Sequence, residues 1–570
     1  MALNHSSCTL SIRIKTTMDI VSFAFNGPVE YDQTRPLYID ARDPSRSLNA
    51  QQFKHLVQTL VAGLKRHVQP GDAVLVHLGN SFIHSALFFS IVGAGNVYIG
   101  AGPDSPAHEL DNVVQAGEPK LILTSSATLQ RVLEVATGRS IPANQICVIS
   151  EETILSFLQS PDTLTIPTTT TETPTELIPL TTLLTHGTSP WTTLTAEEAD
   201  ATPASMFCTS GTSGLPKAAI LSHRNMITHH SSSHYAPSYA ATRRLIAIPV
   251  HHLYGAVWTH IFPIRYGSPV YLLPRFEIHA FLQATHRYQI TNTYLVPAMV
   301  HILNQAPAHL DLPHHLASVR YMLVSAAPID VPALETLQAS LPHPEALVTQ
   351  NWGMTETGLV FLSPYTDKTH DKASIGRVRG EGVEVQLVES SSGSIIAEDD
   401  RAGEMWIRGP GIFMEYKRMP SDKEPGGWFR TGDMVFRRRG LYYLVGRVKE
   451  IIKVRGYSVA PAEIEDVLVQ HPGIKDAAVL GVHARDGSGT EVPRAFVVKT
   501  TTVTEDEVYG FVAARLARYK ALDGGVVFVS AIPRTATGKI QRARLGLMNA
   551  QREKIAKILG VGKVGVSVAA

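Results

Sequence analysis

The stretch Thr209-Ser210-Gly211-Thr212-Ser213-Gly214-Leu215-Pro216-Lys217 sets two hydroxyl pairs, two glycines and a lysine between two mostly apolar runs, Ala204–Cys208 and Ala218–Leu221. Glycines let backbone N–H groups turn toward an anion at little steric cost, and hydroxyls with an ammonium complete the donor set. The pattern reads as a loop for a polyphosphate. It differs from the nucleotide-hydrolase P-loop, in which Gly-Lys-Ser/Thr opens a helix; here Lys217 follows Pro216 and Ala218 comes next. Taken alone, a flexible Ser/Thr/Gly surface loop has the same composition.

Four more segments follow in order. In Asn351-Trp352-Gly353-Met354-Thr355-Glu356-Thr357 one carboxylate stands among hydroxyls. That suits Mg²⁺, which takes oxygen ligands and few protein carboxylates. Trp352 offers a flat face for a base. In Trp428-Phe429-Arg430-Thr431-Gly432-Asp433 an aspartate follows a glycine turn, and acids so placed accept ribose hydroxyls in other nucleotide sites. From Gly446 to Glu465, Arg447, Lys449, Lys453 and Arg455 lie within nine positions, and Pro461 marks a helix start. Last, Pro533-Arg534-Thr535-Ala536-Thr537-Gly538-Lys539-Ile540 delivers a single lysine from a turn. Each segment also has an ordinary structural reading, as a turn, a solvated strand edge or a surface lysine.

Alternating short strands and helices must carry these loops. Ala73–Leu78, about Phe82–Val92 and the strand after it form a charge-free stretch that glycines and Asn80 divide into a strand, a helix and another strand, which argues for an α/β core rather than a membrane span. Together with the helical pattern Ala50–Val68, this predicts a parallel sheet covered on both faces. Residues 161–203 are rich in Thr and Pro and predict an excursion loop. From about 375 to 445 the period shortens to two, as in Val383–Val388 and Glu404–Ile407, predicting a small β-barrel or β-sheet unit. The remainder predicts a small α+β unit with a capped helix from Glu505 and strands at Ala477–Val482, Ala495–Val498 and Val526–Val529. The expected fold is thus α/β: doubly wound subdomains plus a small β-barrel in a large N-terminal domain (19–448), then a small mobile α+β lid domain (449–570), with an unstructured leader over 1–18.

Fifty-one Lys and Arg against 50 Asp and Glu give a net charge of +1, which argues against a nucleic-acid partner or a charged membrane surface. Cys8, Cys147 and Cys208 are too scattered for a disulfide framework or a zinc site. The first eighteen residues are faintly like a transit peptide, and the final residues are not a peroxisomal address. Cytoplasm is the expected location.

In order and spacing, the five segments resemble the adenylate-forming superfamily, which includes acyl-CoA synthetases, 4-coumarate–CoA ligases, luciferases and peptide-synthetase adenylation domains. The resemblance runs from about Leu48 to Lys539 and looks most like the 4-coumarate branch. It implies that Thr209, Ser210, Gly211, Thr212, Ser213, Gly214 and Lys217 wrap ATP phosphates. It sets Ala326, Ala327, Asn351, Trp352, Gly353 and Met354 around the nucleotide, and Asp433 and Arg447 at the ribose. Thr355 and Glu356 would serve phosphate and Mg²⁺, and Lys539 the α-phosphate and the attacking carboxylate. His252, Tyr254, Trp258, Ser325 and Gly353 would line the acid pocket, with Trp258 shortening it. Lys449 would be the hinge. Lys453, Arg455 and Gly456 would meet CoA, with Lys453, His252, Thr355, Glu356 and Lys539 as the catalytic group. Gly446, Ser458 and Trp352 depart from the usual Asp, Gln and Tyr.

The implied activity is an ATP-dependent carboxylic acid–CoA ligase of specialised metabolism acting on an aryl or medium-chain acid, with ATP, Mg²⁺ and CoA. One alternative is an adenylating enzyme that loads a carrier protein in trans. A second is a non-catalytic acyl-AMP or nucleotide sensor.

Overall fold

The computed structural model describes residues 19–160, 177–209, 217–233, 242–363, 370–389, 392–419, 423–455, 457–484, 490–534 and 538–559. The leader 1–18, residues 161–176 of the Thr/Pro stretch, Ser210, Gly211, Thr212, Ser213, Gly214 and Gly456 therefore lie outside the described residues.

Two seven-stranded sheets build the large domain. In one, the strands run in the order Leu347–Gln350, Tyr321–Val324, Asn292–Leu295, Arg244–Ile246, Val270–Leu272, Pro36–Asp40 and Ser47–Asn49. All its pairings are parallel except the last. In the other, Ala73–His77, Val97–Ala101, Leu121–Thr124 and Ile146–Val148 are parallel neighbours, and Pro203–Thr209 extends them. These strands are continuous apolar runs because helices cover both faces. The helix His84–Gly93 is buried throughout, which explains a segment without charge. The helix Ala50–His67 is instead amphipathic and opens with a capping box, Asn49 to Gln52.

The expected loop over 161–203 needs correction in its second half. Leu180–Leu184 and Ala196–Ala201 are helical. Leu180, Leu183 and Leu184 are buried, and Trp191 stacks on Phe25 with ring centroids 4.9 Å apart. The threonine-rich composition concealed a few apolar anchors that are enough to fold the chain back onto Ala50–His67.

The two-residue periodicity beyond 375 gives antiparallel strands Glu384–Val388, Gly403–Arg408, Trp428–Arg438 and Leu441–Arg447 in a six-stranded sheet. A bridge between Gly376 and Tyr442 joins it to the three-stranded sheet that begins at Trp352, so two joined sheets occupy the region expected to be a small barrel. Past Glu450, helices Pro461–Leu468, Glu505–Ala513 and Arg542–Leu559 accompany the sheet Ile474–His483, Glu491–Lys499 and Val526–Phe528. This part has its own core, from Ile452 to Val526. No helix among the described residues is long and apolar enough to cross a membrane.

Candidate active site

The hydroxyl-rich loop is the connection of a β-hairpin. Thr209 ends one strand and Lys217 begins the next, directly opposite in register. Lys217 Nζ lies over the Tyr416 ring, 4.6 Å from its centroid, and the Tyr416 hydroxyl donates to Glu356 Oε1 at 2.5 Å. Tyr416 reaches this position because Glu415–Tyr416 adds an antiparallel strand beside Lys217–Ser222. A chain of contacts therefore links the loop lysine to the lone carboxylate of the second segment. Nothing in the sequence around Tyr416 signals this role.

Glu356 is 5% exposed. Burial raises its pKa, while the Tyr416 hydroxyl and the Lys539 and Arg447 charges oppose the rise. No group of three or more His, Cys, Asp or Glu among the described residues could hold a metal alone. One buried carboxylate beside Thr355, with phosphate oxygens completing the shell, fits Mg²⁺.

The third and fourth segments converge on Asp433. Arg447 Nε contacts Asp433 Oδ1 at 2.7 Å, and the Trp352 indole N–H donates to Oδ2 at 2.9 Å. Strands Trp428–Arg438 and Leu441–Arg447 set Asp433 opposite Arg447 in register, and Gly446 stays paired within the second strand. Burial raises the Asp433 pKa; Arg447, Trp352 and Lys539 pull it back. Trp352 is mostly buried and meets Phe361 edge to face, so the residue expected to stack on a base also tethers the aspartate.

Around them the backbone is shaped for close approach. Ala326 holds a left-handed φ of +79°, a conformation that costs an L residue about 1–2 kcal/mol. It follows Ser325 at the end of strand Tyr321–Val324, with Ala327 next. A Cβ on Gly353 would come 2.7 Å from the Gly358 carbonyl. Asn351 is buried, and neither amide atom of its side chain has a hydrogen-bond partner among the described residues, so both suit a ligand. Met354 and Thr355 are half-buried beside it.

Lys539 follows Gly538, whose φ of +84° makes the turn. Lys539 keeps some solvent exposure, while its ammonium is crowded by charges from both domains. Desolvation and the Arg447 charge lower its pKa, opposed by Asp433, Glu356 and Glu450. His252 precedes the helix Leu253–Thr259 at its N-cap position, with no capping bond from its side chain; burial pushes its imidazole down to about 4, and the nearby Lys539 ammonium adds to the shift. Residues from five distant segments thus come together, Lys217 through Tyr416 to Glu356, and Trp352, Asp433, Arg447 and Lys539 around them. Lys449 lies exposed in the turn Val448–Glu450. Lys453 and Arg455 are exposed on the hairpin Ile452–Val454 with Tyr457–Val459.

The helix Leu253–Thr259 carries Tyr254 and Trp258 one turn apart. The Tyr254 hydroxyl donates to the Leu323 carbonyl at 2.8 Å, with that of Leu295 at 3.3 Å. Its proton is therefore taken by strand ends, and it offers a ligand an acceptor. Trp258 is fully buried and stacks on Tyr294 at 4.2 Å and Phe262 at 5.7 Å.

Residues 29–417 match the profile of the family described as "AMP-binding enzyme", and 463–539 that of "AMP-binding enzyme C-terminal domain". The nicotinic acid–CoA ligase olcI of Penicillium canescens is 47% identical over 550 residues, 95% of this chain and 100% of that one. The 4-coumarate–CoA ligase 2 of Oryza sativa subsp. japonica is 31% identical over 522 residues, 88% of this chain and 87% of that one. Among solved structures, ATP-bound MatB from Rhodopseudomonas palustris superposes with a TM-score of 0.74 at 23% identity, covering 95% of this chain and 99% of that one, and shares the fold. The chain belongs to the AMP-binding enzyme family and is an ATP-dependent, AMP-forming acid–CoA ligase.

Proposed function

We propose that the acid is a single-ring aryl or heteroaryl carboxylate of nicotinate size, activated in the cytoplasm for specialised metabolism and passed to free CoA. The observation that carries this is the Trp258–Tyr294 stack: an indole one turn beyond Tyr254 fills depth that a longer acid would need. Near-half identity to a ligase named for nicotinic acid supports the same size class, and its name supports CoA over a carrier protein as acceptor.

In this reading the acid's oxygen attacks the α-phosphorus of ATP, the bond to the β-phosphate breaks, and pyrophosphate leaves. Lys539 faces the charge growing on the α-phosphate, while Lys217 and the 210–216 loop hold the leaving phosphates. Such catalysis is positioning and electrostatics. Mg²⁺, when bound at Glu356, supplies further neutralisation of phosphate charge. Asp433 and Arg447 fix the ribose, and His252, neutral near pH 7, borders the acid without adding charge. The small domain then turns about Lys449, withdrawing Lys539 and bringing Lys453, Arg455 and Gly456 to the thiol. The thiolate attacks the acyl carbon, the carbon–oxygen bond to AMP breaks, and AMP leaves.

AMP release measured with nicotinate, benzoate, 4-coumarate and hexanoate, with either CoA or a phosphopantetheinyl carrier protein, tests the proposal. Nicotinate and benzoate with CoA should exceed the longer 4-coumarate and hexanoate by at least about tenfold in kcat/KM. Preference for 4-coumarate or hexanoate would overturn the size class, and turnover only with the carrier would overturn the acceptor.

A further inference from the structure

One buried guanidinium joins the hinge exit to the loop that carries Lys539. Arg542 Nε contacts Glu450 Oε2 at 2.7 Å, and Nη1 and Nη2 contact Glu465 Oε1 and Oε2 at 2.6 and 3.0 Å. Nη1 also donates to the Val479 carbonyl at 3.2 Å, and Glu465 Oε1 in turn accepts the Val479 N–H at 2.7 Å. The Arg542 side chain is 17% exposed and that of Glu465 is 12% exposed. Bidentate, mostly desolvated pairs of this kind fix geometry as well as contribute energy.

The connectivity gives the cluster its meaning. Glu450 is the residue after Lys449, and Arg542 lies three residues beyond Lys539 at the start of the eighteen-residue helix Arg542–Leu559. Between Lys539 and Arg542 the chain has little slack. Ile540 bridges Arg534, and the Gln541 N–H bonds the Pro533 carbonyl at 2.8 Å. Arg534 itself donates to the Gly538 carbonyl at 2.8 Å and pairs with Asp476 at 2.7 Å. Arg542 and Lys449 also line one cleft of ≈ 180 Å³.

We propose that Arg542 is a positioning residue for adenylation: it locks the Lys539 loop to the segment leaving the hinge, so that the angle of the small domain dictates where the Lys539 ammonium sits. The lock acts through Lys539 and rests on the reading of that lysine as the adenylation group. Losing it leaves the hinge able to turn but lets the lysine wander, and a displacement of about 1 Å at a reacting centre is worth about 10²-fold in rate.

The test compares Arg542→Met, Arg542→Lys, Lys539→Ala and the double variant Arg542→Met/Lys539→Ala in the full chain. Acid-dependent ATP–pyrophosphate exchange reads adenylation, and CoA thioester formation from a synthetic acyl-adenylate reads the second step. In Arg542→Met the exchange kcat should fall about 10- to 100-fold, with KM for ATP and the second step changed by less than about threefold. Arg542→Lys, which keeps a charge between the two carboxylates, should recover part of the loss; if the methionine variant does not fold, the smaller exchange deficit of the folded Arg542→Lys variant, with its second step unchanged, serves as the reading. In the Lys539→Ala background the further loss should be under about threefold, because contributions made through one group are not additive. A multiplicative loss in the double variant, or equal loss of both steps, overturns the role of Arg542 alone. Normal exchange by Lys539→Ala overturns the reading beneath it and the role of Arg542 together.

Discussion

Replacing Trp352 by phenylalanine keeps a ring beside Phe361 but removes the indole N–H that meets Asp433 Oδ2 at 2.9 Å. Each carboxylate oxygen accepts about two hydrogen bonds. With Trp352 on one oxygen and Arg447 on the other, Asp433 is fixed in rotation and keeps one acceptor site per oxygen for the two ribose hydroxyls. A hydrogen bond to a charged group is worth about 1.5–3 kcal/mol, which corresponds to roughly 10- to 150-fold in affinity at about 1.4 kcal/mol per decade. KM for ATP in pyrophosphate exchange should rise within that range while kcat changes little, because the tether acts on nucleotide binding. The pH profile carries a second signature. Burial already raises the Asp433 pKa against the pull of Arg447, Trp352 and Lys539. Losing one of those pulls raises it further, so ATP binding should begin to fail at a higher pH on acidification than in the parent. The assay is KM for ATP across pH 5–8 for both proteins, together with ATP against 2′-deoxy-ATP at pH 7.5, where the variant should discriminate less. A KM within twofold of the parent, an unshifted acid limb and unchanged discrimination would refute the tether.

Lys449→Pro should spare adenylation and block thioester formation, since a 3-10 turn has φ near about −60°, which proline accepts but then freezes; half-reaction rates check this, and normal acyl-CoA output removes Lys449 as the hinge. Trp258→Ala, which deletes the indole stacked on Tyr294, should shift relative kcat/KM toward 4-coumarate by at least about tenfold; an unchanged acid profile in a folded variant places Trp258 outside the pocket. His77, His84, His223 and His229 are buried and pushed down to about 4, with burial the largest cause for each. Below about pH 6.5 the unfolded chain binds protons that these four rings refuse, so stability should fall between pH 6.5 and 4, by about 1.4 kcal/mol per pH unit for each ring. Calorimetric Tm at pH 7, 5.5 and 4.5 measures it, and a flat Tm would show that the rings titrate normally.

What the sequence made legible follows from which constraints are local. Strand Ala73–His77, helix His84–Gly93 and the capped helix Glu505–Ala513 were readable because apolar period, charge and capping chemistry lie within each segment. The Asp433, Glu356 and Lys539 segments could be singled out as candidates because turn glycines and hydroxyls sit next to the charged group, and the structure brings these three groups within electrostatic reach of one another. Tyr416, Glu450 and Arg542 were not, because their partners are 60, 92 and 77 residues away in the chain and their own neighbourhoods are unremarkable in composition. The indole tether on Asp433 spans 81 residues and depends on how two sheets meet, so the sequence supported only the flat face of Trp352. The helices Leu180–Leu184 and Ala196–Ala201 escaped for the opposite reason: threonine and proline dominate the composition around the few buried anchors.

The central claim is that Lys539, brought by the small domain against Glu356, Asp433 and Arg447, drives the first half-reaction and is dispensable for the second. Rapid-quench measurement of both steps in Lys539→Ala tests it most directly. Acyl-adenylate formation should drop by about 10²–10³, the usual loss on removing a donor from a developing charge, while thioester formation from supplied acyl-adenylate stays within about threefold of the parent. Equal loss in both steps, or an undiminished first step, would contradict it.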